Sequence, residues 1–222
     1  FINLEDSIQV EKAADLKFFS FGIKKENADV NIIDVKANPF VEINFSNLII
    51  KSHLIGLYNA NNINAALTIG KYFGVDDIAI KEGLESYIPE NNRSQLLSKG
   101  TNQIILDAYN ANPSSMKVAI ENFLQLDNPN KIMILGDMFE LGDASTQEHL
   151  EVLKLLLDKN EIQCFFIGSA FYANKTVTTH FHFYETFDSF SEYLKEIKIV
   201  NSVVLIKGSR GMALERTLQF FS

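Results

Sequence analysis

One segment joins the end of an apolar run to the start of a helix, and it reads Ile104-Ile105-Leu106-Asp107-Ala108-Tyr109-Asn110-Ala111-Asn112-Pro113-Ser114-Ser115-Met116. The apolar run is typical of a buried strand and ends at an acid. Asn112 is a preferred N-cap residue, and Pro113 suits the first helical position, where no N–H is needed. The polar residues from Asp107 onward are therefore predicted to lie between the carboxyl end of a strand and a helix N-terminus.

Ligands often bind at this position in an α/β fold. Free N–H groups and the helix dipole favour an anion at a helix N-terminus, and open parallel sheets bind ligands outside the carboxyl ends of their strands. The alternative is a capped turn that binds nothing. The segment by itself leaves both interpretations open.

Strand-like and helix-like runs alternate through the C-terminal part of the chain. Strands are predicted over residues 103–106, 131–135, 163–167, 180–184 and 203–206, and helices over 114–126, 145–157, 187–197 and 211–220. The second helix begins with Ser145-Thr146-Gln147-Glu148, which has the spacing of a capping box. This alternation predicts βαβ units and therefore an α/β domain with a mostly parallel, Rossmann-like sheet, although the Gly-x-Gly-x-x-Gly fingerprint is missing.

The N-terminal part has a different pattern. Short strand-like runs at 18–21, 30–35, 41–45 and 48–50 predict an antiparallel sheet that is too small to stand alone, and helices follow at about 59–70 and 75–87. Asn59 and Asn62 share one helix face, where two amides could read a purine edge; capping by Asn59 is the alternative. We place a domain boundary between residues 90 and 91, giving domains 1–90 and 91–222.

Composition narrows the functional class. The 222 residues carry a formal net charge of −8, which argues against a nucleic-acid-binding surface. The single cysteine, Cys164, excludes a disulfide framework and fits a reducing compartment, and no apolar stretch approaches the roughly 20 residues of a membrane span. Because the chain begins with Phe1 and shows no signal-peptide pattern, we expect it to be part of a longer protein.

Three loops follow predicted strands and hold most of the candidate chemistry. The first loop is residues 107–115, the second is residues 135–142, and the third is residues 206–211. In the third loop, Lys207 and Arg210 flank a Gly-Ser turn and could clamp a carboxylate or phosphate; solvated surface charge is the alternative. In the second loop, Asp137 and Glu140 could be site acids or helix caps.

Other catalytic arrangements find little support. The sequence has no P-loop, and its four histidines lack metal-ligand spacing. We expect His180 and His182 to be exposed or at an edge, and His149 to be a surface or core residue. Ser114 and Ser115 have no neighbouring His–acid pair, so a serine nucleophile is not indicated.

Five motifs, taken together, resemble those of the Mur ligase family. Residues 58–66 resemble the pattern H-N-x-x-N-x-x-A-A, with Tyr58 in place of the usual His, and Arg93 matches an arginine at a domain junction. The first loop resembles D-x-Y-N-A-N-P-x-S-M, the pattern of the members that add D-alanyl-D-alanine to UDP-N-acetylmuramoyl-tripeptide. The second and third loops resemble the family's two remaining motifs.

The resemblance implies a cytoplasmic, ATP-dependent amide ligase of peptidoglycan precursor synthesis, expected to be a monomer. ATP would convert the tripeptide carboxylate into an acyl phosphate, which the amine of D-alanyl-D-alanine then attacks. Domain 1–90 would be the end of a central ATP-binding domain, and 91–222 the C-terminal Rossmann-like ligase domain. Since the P-loop and most Mg²⁺ ligands would lie upstream, we expect the chain alone to be inactive.

The resemblance also implies roles for individual residues. ATP would be bound by Asn59, Asn62, Arg93 and Asp107. The acceptor dipeptide would be bound by Tyr109, Asn110, Asn112 and Ser114. Lys207, Ser209 and Arg210 would face a peptide carboxylate or close over the nucleotide. No catalytic residue and no metal ligand is assigned within the chain.

Two alternatives to this function remain open. The first is a sister Mur ligase or a folylpolyglutamate-type ligase, which should carry a D-Y-A-H-x-P-like first loop. The second is a non-enzymatic, Rossmann-like module that binds a nucleotide or a protein partner. An upstream region encoding a P-loop would argue against the second.

Overall fold

The apolar runs of the first 55 residues form two three-stranded sheets instead of one meander. The structure, a computed structural model, describes residues 1–221, and the chain divides into two units, Phe1–Pro89 and Glu90–Ser222. The elements of the first unit are β1 (Ile2–Asn3), α1 (Ser7–Lys12), β2 (Ser20–Ile23), β3 (Val30–Ile32), β4 (Asp34–Ala37), β5 (Phe40–Phe45), β6 (Leu48–Ile55), α2 (Asn59–Tyr72) and α3 (Asp77–Ser86).

The two sheets of the first unit differ in strand direction. Strands β1, β2 and β3 pair in parallel, whereas β4, β5 and β6 pair antiparallel. The expectation of an antiparallel sheet is therefore wrong for the first three strands. The predicted run 30–35 breaks at Ile33 because its two halves pair with different partners, β2 and β5, and such long-range pairing is not encoded in the local pattern.

Helix α2 supplies much of the core of the first unit. Ala60, Ile63 and Leu67 pack in one buried cluster with side chains from both sheets. The helix begins at Asn59, and Tyr58 occupies the N-cap position. The alternative that Asn59 caps the helix is therefore wrong.

The second unit contains the alternating strands and helices. Its elements are β7 (Gln95–Lys99), β8 (Asn102–Asp107), α4 (Pro113–Leu124), β9 (Lys131–Gly136), a 3-10 helix (Gly142–Ala144), α5 (Ser145–Leu156), β10 (Ile162–Ile167), α6 (Ser169–Ala173), β11 (Phe181–Tyr184), α7 (Phe187–Glu196), β12 (Val203–Lys207) and two further 3-10 helices (Arg210–Met212 and Leu214–Phe220).

The sheet of the second unit has the order β11-β10-β9-β12-β8-β7. All neighbouring strands pair in parallel except β7, which is antiparallel to β8 at one edge. The predicted α/β class with a mostly parallel sheet is confirmed. The last strand of the chain, β12, inserts between β8 and β9, so the connection through α4 passes over it.

Alternate residues of the central strands serve the two faces of the sheet. Ile104, Ile134 and Ile206 face a cluster that includes Phe190 of α7 and Leu214 of the last 3-10 helix. On the opposite face, Phe166 of β10 contacts Phe171 of α6, with ring centroids 5.0 Å apart. Burial on both faces explains why these strands read as continuous apolar runs.

The sequence predicts the start of α4 correctly, but not the start of α5 or the form of the C-terminal segment. Asn112 caps α4 as expected, because its side chain accepts from Ser115 N at 2.8 Å and Pro113 follows. The capping box at Ser145 is wrong, since a 3-10 helix runs directly into α5 and leaves Ser145 inside the helical stretch. The helix predicted over 211–220 is also wrong, because Ala213 adopts a left-handed conformation with φ of 47° and divides the segment into two 3-10 helices.

One histidine of the second unit, His180, is more buried than the sequence indicated. His180 is 1% exposed, and its Nε2 lies 3.2 Å from the carbonyl oxygen of Leu156. Of the two positions expected for His180, the exposed one is wrong, because the C-terminal end of α5 covers the ring. The other is observed, since His180 directly precedes β11, the edge strand of the sheet. His149 lies in the core, one of the two places expected for it.

The reactivity of the Cys164 thiol provides a test of the packing of β10. Burial raises the pKa of this thiol to about 12, so it stays protonated and shielded near neutral pH. We expect no reaction of the folded chain with Ellman's reagent at about pH 8, and complete reaction of the same thiol in guanidinium. A folded chain that reacts as fast as the unfolded one would contradict the described position of β10.

Candidate functional site

The topology brings the first and third loops together. Strands β8 and β12 are neighbours, and Asp107 is the register partner of Lys207 although the two are 100 residues apart in the sequence. The chain leaves β8 into α4, whereas it leaves β12 toward Leu214 in the cluster that contains α7. In open α/β sheets, a crevice that can bind a ligand forms where neighbouring connections diverge in this way.

An ion pair joins these two strand ends. Lys207 Nζ lies 2.6 Å from Asp107 Oδ2 and donates to Asn110 O at 3.2 Å. The other carboxylate oxygen, Oδ1, accepts from Ser94 N at 3.1 Å and from Ser94 Oγ at 3.2 Å. Lys207 is 1% exposed, so the alternative that it is a solvated surface charge is wrong. Its charge is balanced by Asp107 inside the protein.

Two arginines lie beside the exposed ring of Tyr109. The Arg93 guanidinium carbon is 3.8 Å from the ring centroid, and that of Arg210 is 5.9 Å away. Tyr109 N donates to Asn92 O, which holds the first loop against the segment that carries Arg93. Both arginines are exposed, so they can meet an anionic ligand from solvent.

Ser209 connects all three loops. Its Oγ accepts from Phe139 N of the second loop at 2.8 Å and lies 3.3 Å from Ala111 O of the first loop, to which it donates. Its backbone N–H donates to Asp137 O at 3.1 Å. Ser209 is 2% exposed, so the contacts observed for its hydroxyl are with the protein itself.

One of the two acids of the second loop, Asp137, caps α6. The carboxylate of Asp137 accepts from Ala170 N at 2.9 Å and from Phe171 N at 3.0 Å at the start of α6. Gly168 permits this approach, because a Cβ there would lie 2.3 Å from the Asp137 carboxylate and the φ of Gly168 is +126°. The capping interpretation is thus the one observed for Asp137, whereas Glu140 is exposed.

The polar side chains of the first loop line its exposed side. Asn110 accepts from Ala111 N at 2.9 Å, and Ser114 Oγ donates to Asn112 Oδ1 at 2.9 Å. All three side chains are at the surface. The side-chain oxygens of Asn110 and Asn112 accept within the turn, so it is the amide N–H groups of these two residues that can donate to a ligand.

Asn59 and Asn62 belong to the first unit. Asn59 is 6% exposed, donates to Ile55 O at 2.7 Å and accepts from Asn62 Nδ2 at 2.9 Å. Asn62 is exposed. Within this unit, therefore, Asn62 is the residue able to reach a ligand, and Asn59 holds it in place.

Sequence reasoning missed two residues that build the site. Ser94 supplies two of the donors to Asp107, and His149 accepts from Met138 N of the second loop at 3.0 Å. The position of Ser94 beside Arg93 was a weak signal for the first. No local pattern indicated that His149 would contact a loop that precedes it in the chain.

Comparison with known proteins identifies the family. The family described as Mur ligase, glutamate ligase domain matches residues 92–210, which is more than half of the chain. The chain belongs to the Mur ligase family. All three loops of the candidate site begin within the matched region, and so do Arg93 and Ser94.

Individual Mur ligases resemble the chain over much of its length. It is 26% identical over 225 residues to the UDP-N-acetylmuramoyl-tripeptide–D-alanyl-D-alanine ligase of Borreliella burgdorferi, covering 96% of the chain and 48% of that protein. It is 33% identical over 176 residues to the enzyme of the same name from Bacillus subtilis, covering 75% of the chain and 38% of that protein. The chain thus spans about half or less of these relatives.

A solved Mur ligase structure shares the fold. The chain matches a crystal structure of MurF from Acinetobacter baumannii with a TM-score of 0.76 and 26% identity. The match covers 98% of the chain and 49% of that structure.

Within residues 1–221, no helix is both long and apolar enough to cross a membrane.

A metal ion was expected to have most of its ligands outside the chain. Among residues 1–221, no three His, Cys, Asp or Glu side chains come together as a metal site. The carboxylates of Asp107 and Asp137 are instead occupied by Lys207 and by backbone N–H groups. We assign the described part of the chain no step that involves the metal.

Gly168 offers a test of how the second loop is held. Gly168→Ala would press a methyl group against the Asp137 carboxylate in a backbone conformation that favours glycine, so we expect a loss of about 3 kcal/mol or more in the unfolding free energy of the second unit. This loss of unfolding free energy is measured by urea unfolding, monitored through the amide NMR signals of β10.

Gly142→Ala is the matched control. Gly142 also has a positive φ, of 52°, but a Cβ there would meet nothing within 4 Å. Its substitution should cost about 1–2 kcal/mol, from backbone strain alone. Equal losses for the two variants would show that contact with Asp137 is not what requires glycine at position 168.

Proposed function

We propose that this chain supplies the C-terminal part of an ATP-dependent amide ligase that joins D-alanyl-D-alanine to UDP-N-acetylmuramoyl-tripeptide in the cytoplasm. The observation that carries the proposal is the first loop. Its sequence, from Asp107 to Met116, opens from the carboxyl end of β8, and it lies within a region that belongs to the Mur ligase family. Relatives that match most of the chain carry this activity in their names.

The exposed groups suit the substrates of such a reaction. An acyl phosphate and a peptide carboxylate are both anions, and the guanidinium groups of Arg93 and Arg210 flank the crevice at Tyr109. Because Lys207 is neutralised by Asp107, we assign anion binding to the two arginines. Lys207 and Ser209 then act by holding the third loop.

The acceptor dipeptide is assigned to the exposed side of the first loop. The amide of Asn110 and the hydroxyl of Ser114 can pair with peptide groups, while Tyr109 offers an apolar face. Asn112 contributes mainly as the cap that fixes the start of α4. These side chains bind and orient the dipeptide so that its amine can attack the activated carboxyl carbon.

The ATP contacts that the resemblance implies are assigned within each unit separately. Asn62 would contact the base, with Asn59 holding its amide. Arg93 would contact the phosphates. For Asp107, three of the roughly four acceptor positions of its carboxylate are already used, so its contribution to ribose binding would be small beside its bond to Lys207. Bound ATP supplies the phosphoryl group that activates the tripeptide carboxylate.

The longer protein that contains this chain can be tested directly. We expect it to release ADP only when UDP-N-acetylmuramoyl-tripeptide and D-alanyl-D-alanine are both present, with one amide product formed per ADP. Coupled ADP detection and mass spectrometry measure the two products. Turnover with a single amino acid in place of the dipeptide would indicate a sister ligase and overturn the proposal.

Substitution of Asn110 locates the dipeptide in the same assay. Asn110→Ala should raise the KM for D-alanyl-D-alanine about tenfold and leave the KM for ATP unchanged, because a buried ligand group loses its partner. Asn128→Ala is the control. Asn128 also accepts from a nearby backbone N–H, but it precedes the amino end of β9, whereas the first loop follows the carboxyl end of β8. A similar effect of both variants would refute the assignment of Asn110.

A further inference from the structure

His149 is a buried histidine for which the proposed reaction has no use. It lies in α5 and is 0% exposed. Its Nε2 accepts from Met138 N at 3.0 Å, and its Nδ1 lies 2.7 Å from the carbonyl oxygen of Ser145. The ring also packs edge-on against Phe171, with centroids 4.6 Å apart.

These contacts determine the tautomer of the ring. A backbone N–H can only donate, so Nε2 must carry no proton to accept from Met138. A carbonyl oxygen can only accept, so Nδ1 must carry the proton that is donated to Ser145. Both ring nitrogens of His149 are thus hydrogen-bonded to backbone, and its placement is fixed by two bonds of opposite polarity. Nε2 also lies 3.7 Å from Asp137 Oδ1.

Met138, the hydrogen-bond partner of His149, lies between two residues that bond to Ser209. Met138 is preceded by Asp137, whose carbonyl accepts from Ser209 N, and followed by Phe139, whose N–H donates to Ser209 Oγ. Fixing Met138 therefore fixes both contacts to the third loop. Through Ser209 Oγ the same chain of bonds reaches Ala111 of the first loop.

We propose that His149 is a positioning residue that, through Met138, holds the second loop in register with Ser209 and so keeps Arg210 and the first loop in place for the ligand. The part of this proposal that concerns ligand binding rests on the proposed function. The series of hydrogen bonds does not, because it is observed within the second unit without any ligand.

The first test is made on the 222-residue chain without any ligand. NMR of the labelled histidine ring should show Nε2 unprotonated and Nδ1 protonated. In His149→Leu, we expect amide hydrogen exchange of Met138, Phe139 and Ser209 to rise about tenfold or more, with exchange of Ile134 and Phe165 in the sheet nearly unchanged.

Two further variants separate positioning from general packing. His149→Gln retains an acceptor near the position of Nε2 and should restore most of the protection of Met138, whereas the shorter His149→Asn should not. His180→Leu removes an equally buried histidine outside the three loops and should leave exchange of Met138 and Phe139 unchanged. The Gln and Asn pair decides the question if His149→Leu does not fold.

Several outcomes would overturn the proposal: a proton on Nε2, faster exchange spread evenly over the whole sheet, no difference between Gln and Asn at position 149, or the same effect from His180→Leu. In the complete ligase, His149→Leu should also lower kcat/KM for the dipeptide by a similar factor, and His149→Gln should recover it. If exchange changes as expected but no ligase activity exists in the parent protein, the proposed function fails and the positioning role stands.

Discussion

The candidate site depends on one ion pair, between the buried Lys207 at the end of β12 and the partly buried Asp107 at the end of β8. Removing an ammonium group from water costs several kcal/mol, and the carboxylate, with Asn110 O, must offset this cost inside the protein. Breaking the pair would leave a charge without a partner. The ends of two strands that are far apart in sequence are therefore held in one arrangement.

This arrangement divides the cationic groups of the site into two kinds. Lys207 is buried and neutralised, and so it organises the strand ends. Arg93 and Arg210 are exposed beside Tyr109, and so they are available to an anion. Ser209 extends the buried hydrogen bonds to the second loop, since its hydroxyl and N–H together contact Ala111, Asp137 and Phe139. Buried groups that support a few exposed side chains fit the proposed role of orienting two substrates.

The sequence predicted those features that rest on local patterns. Continuous apolar runs located the buried strands, and the Asn112-Pro113 pair located the start of α4 within one residue. The sequence did not predict that Lys207 is buried, because the carboxylate partner of Lys207 comes from a strand 100 residues earlier. The partition of 30–35 into two sheets and the burial of His149 and His180 also depend on long-range contacts. The capping box at Ser145 failed because a preceding 3-10 helix already supplied the turn.

The most direct test is a double-mutant cycle on Asp107→Asn and Lys207→Met, with unfolding free energies of the second unit taken from urea curves of the β8 and β12 amide signals. Because Asp107→Asn leaves the buried ammonium group of Lys207 without a counter-charge and Lys207→Met leaves the Asp107 carboxylate without its cation, the account predicts a coupling free energy of about 2 kcal/mol or more. The exposed pair Glu192 and Lys195, 2.6 Å apart, is the control and should couple by less than about 0.5 kcal/mol. Additive losses at Asp107 and Lys207, with no coupling beyond that of the control, would contradict the claim that this pair holds the site together.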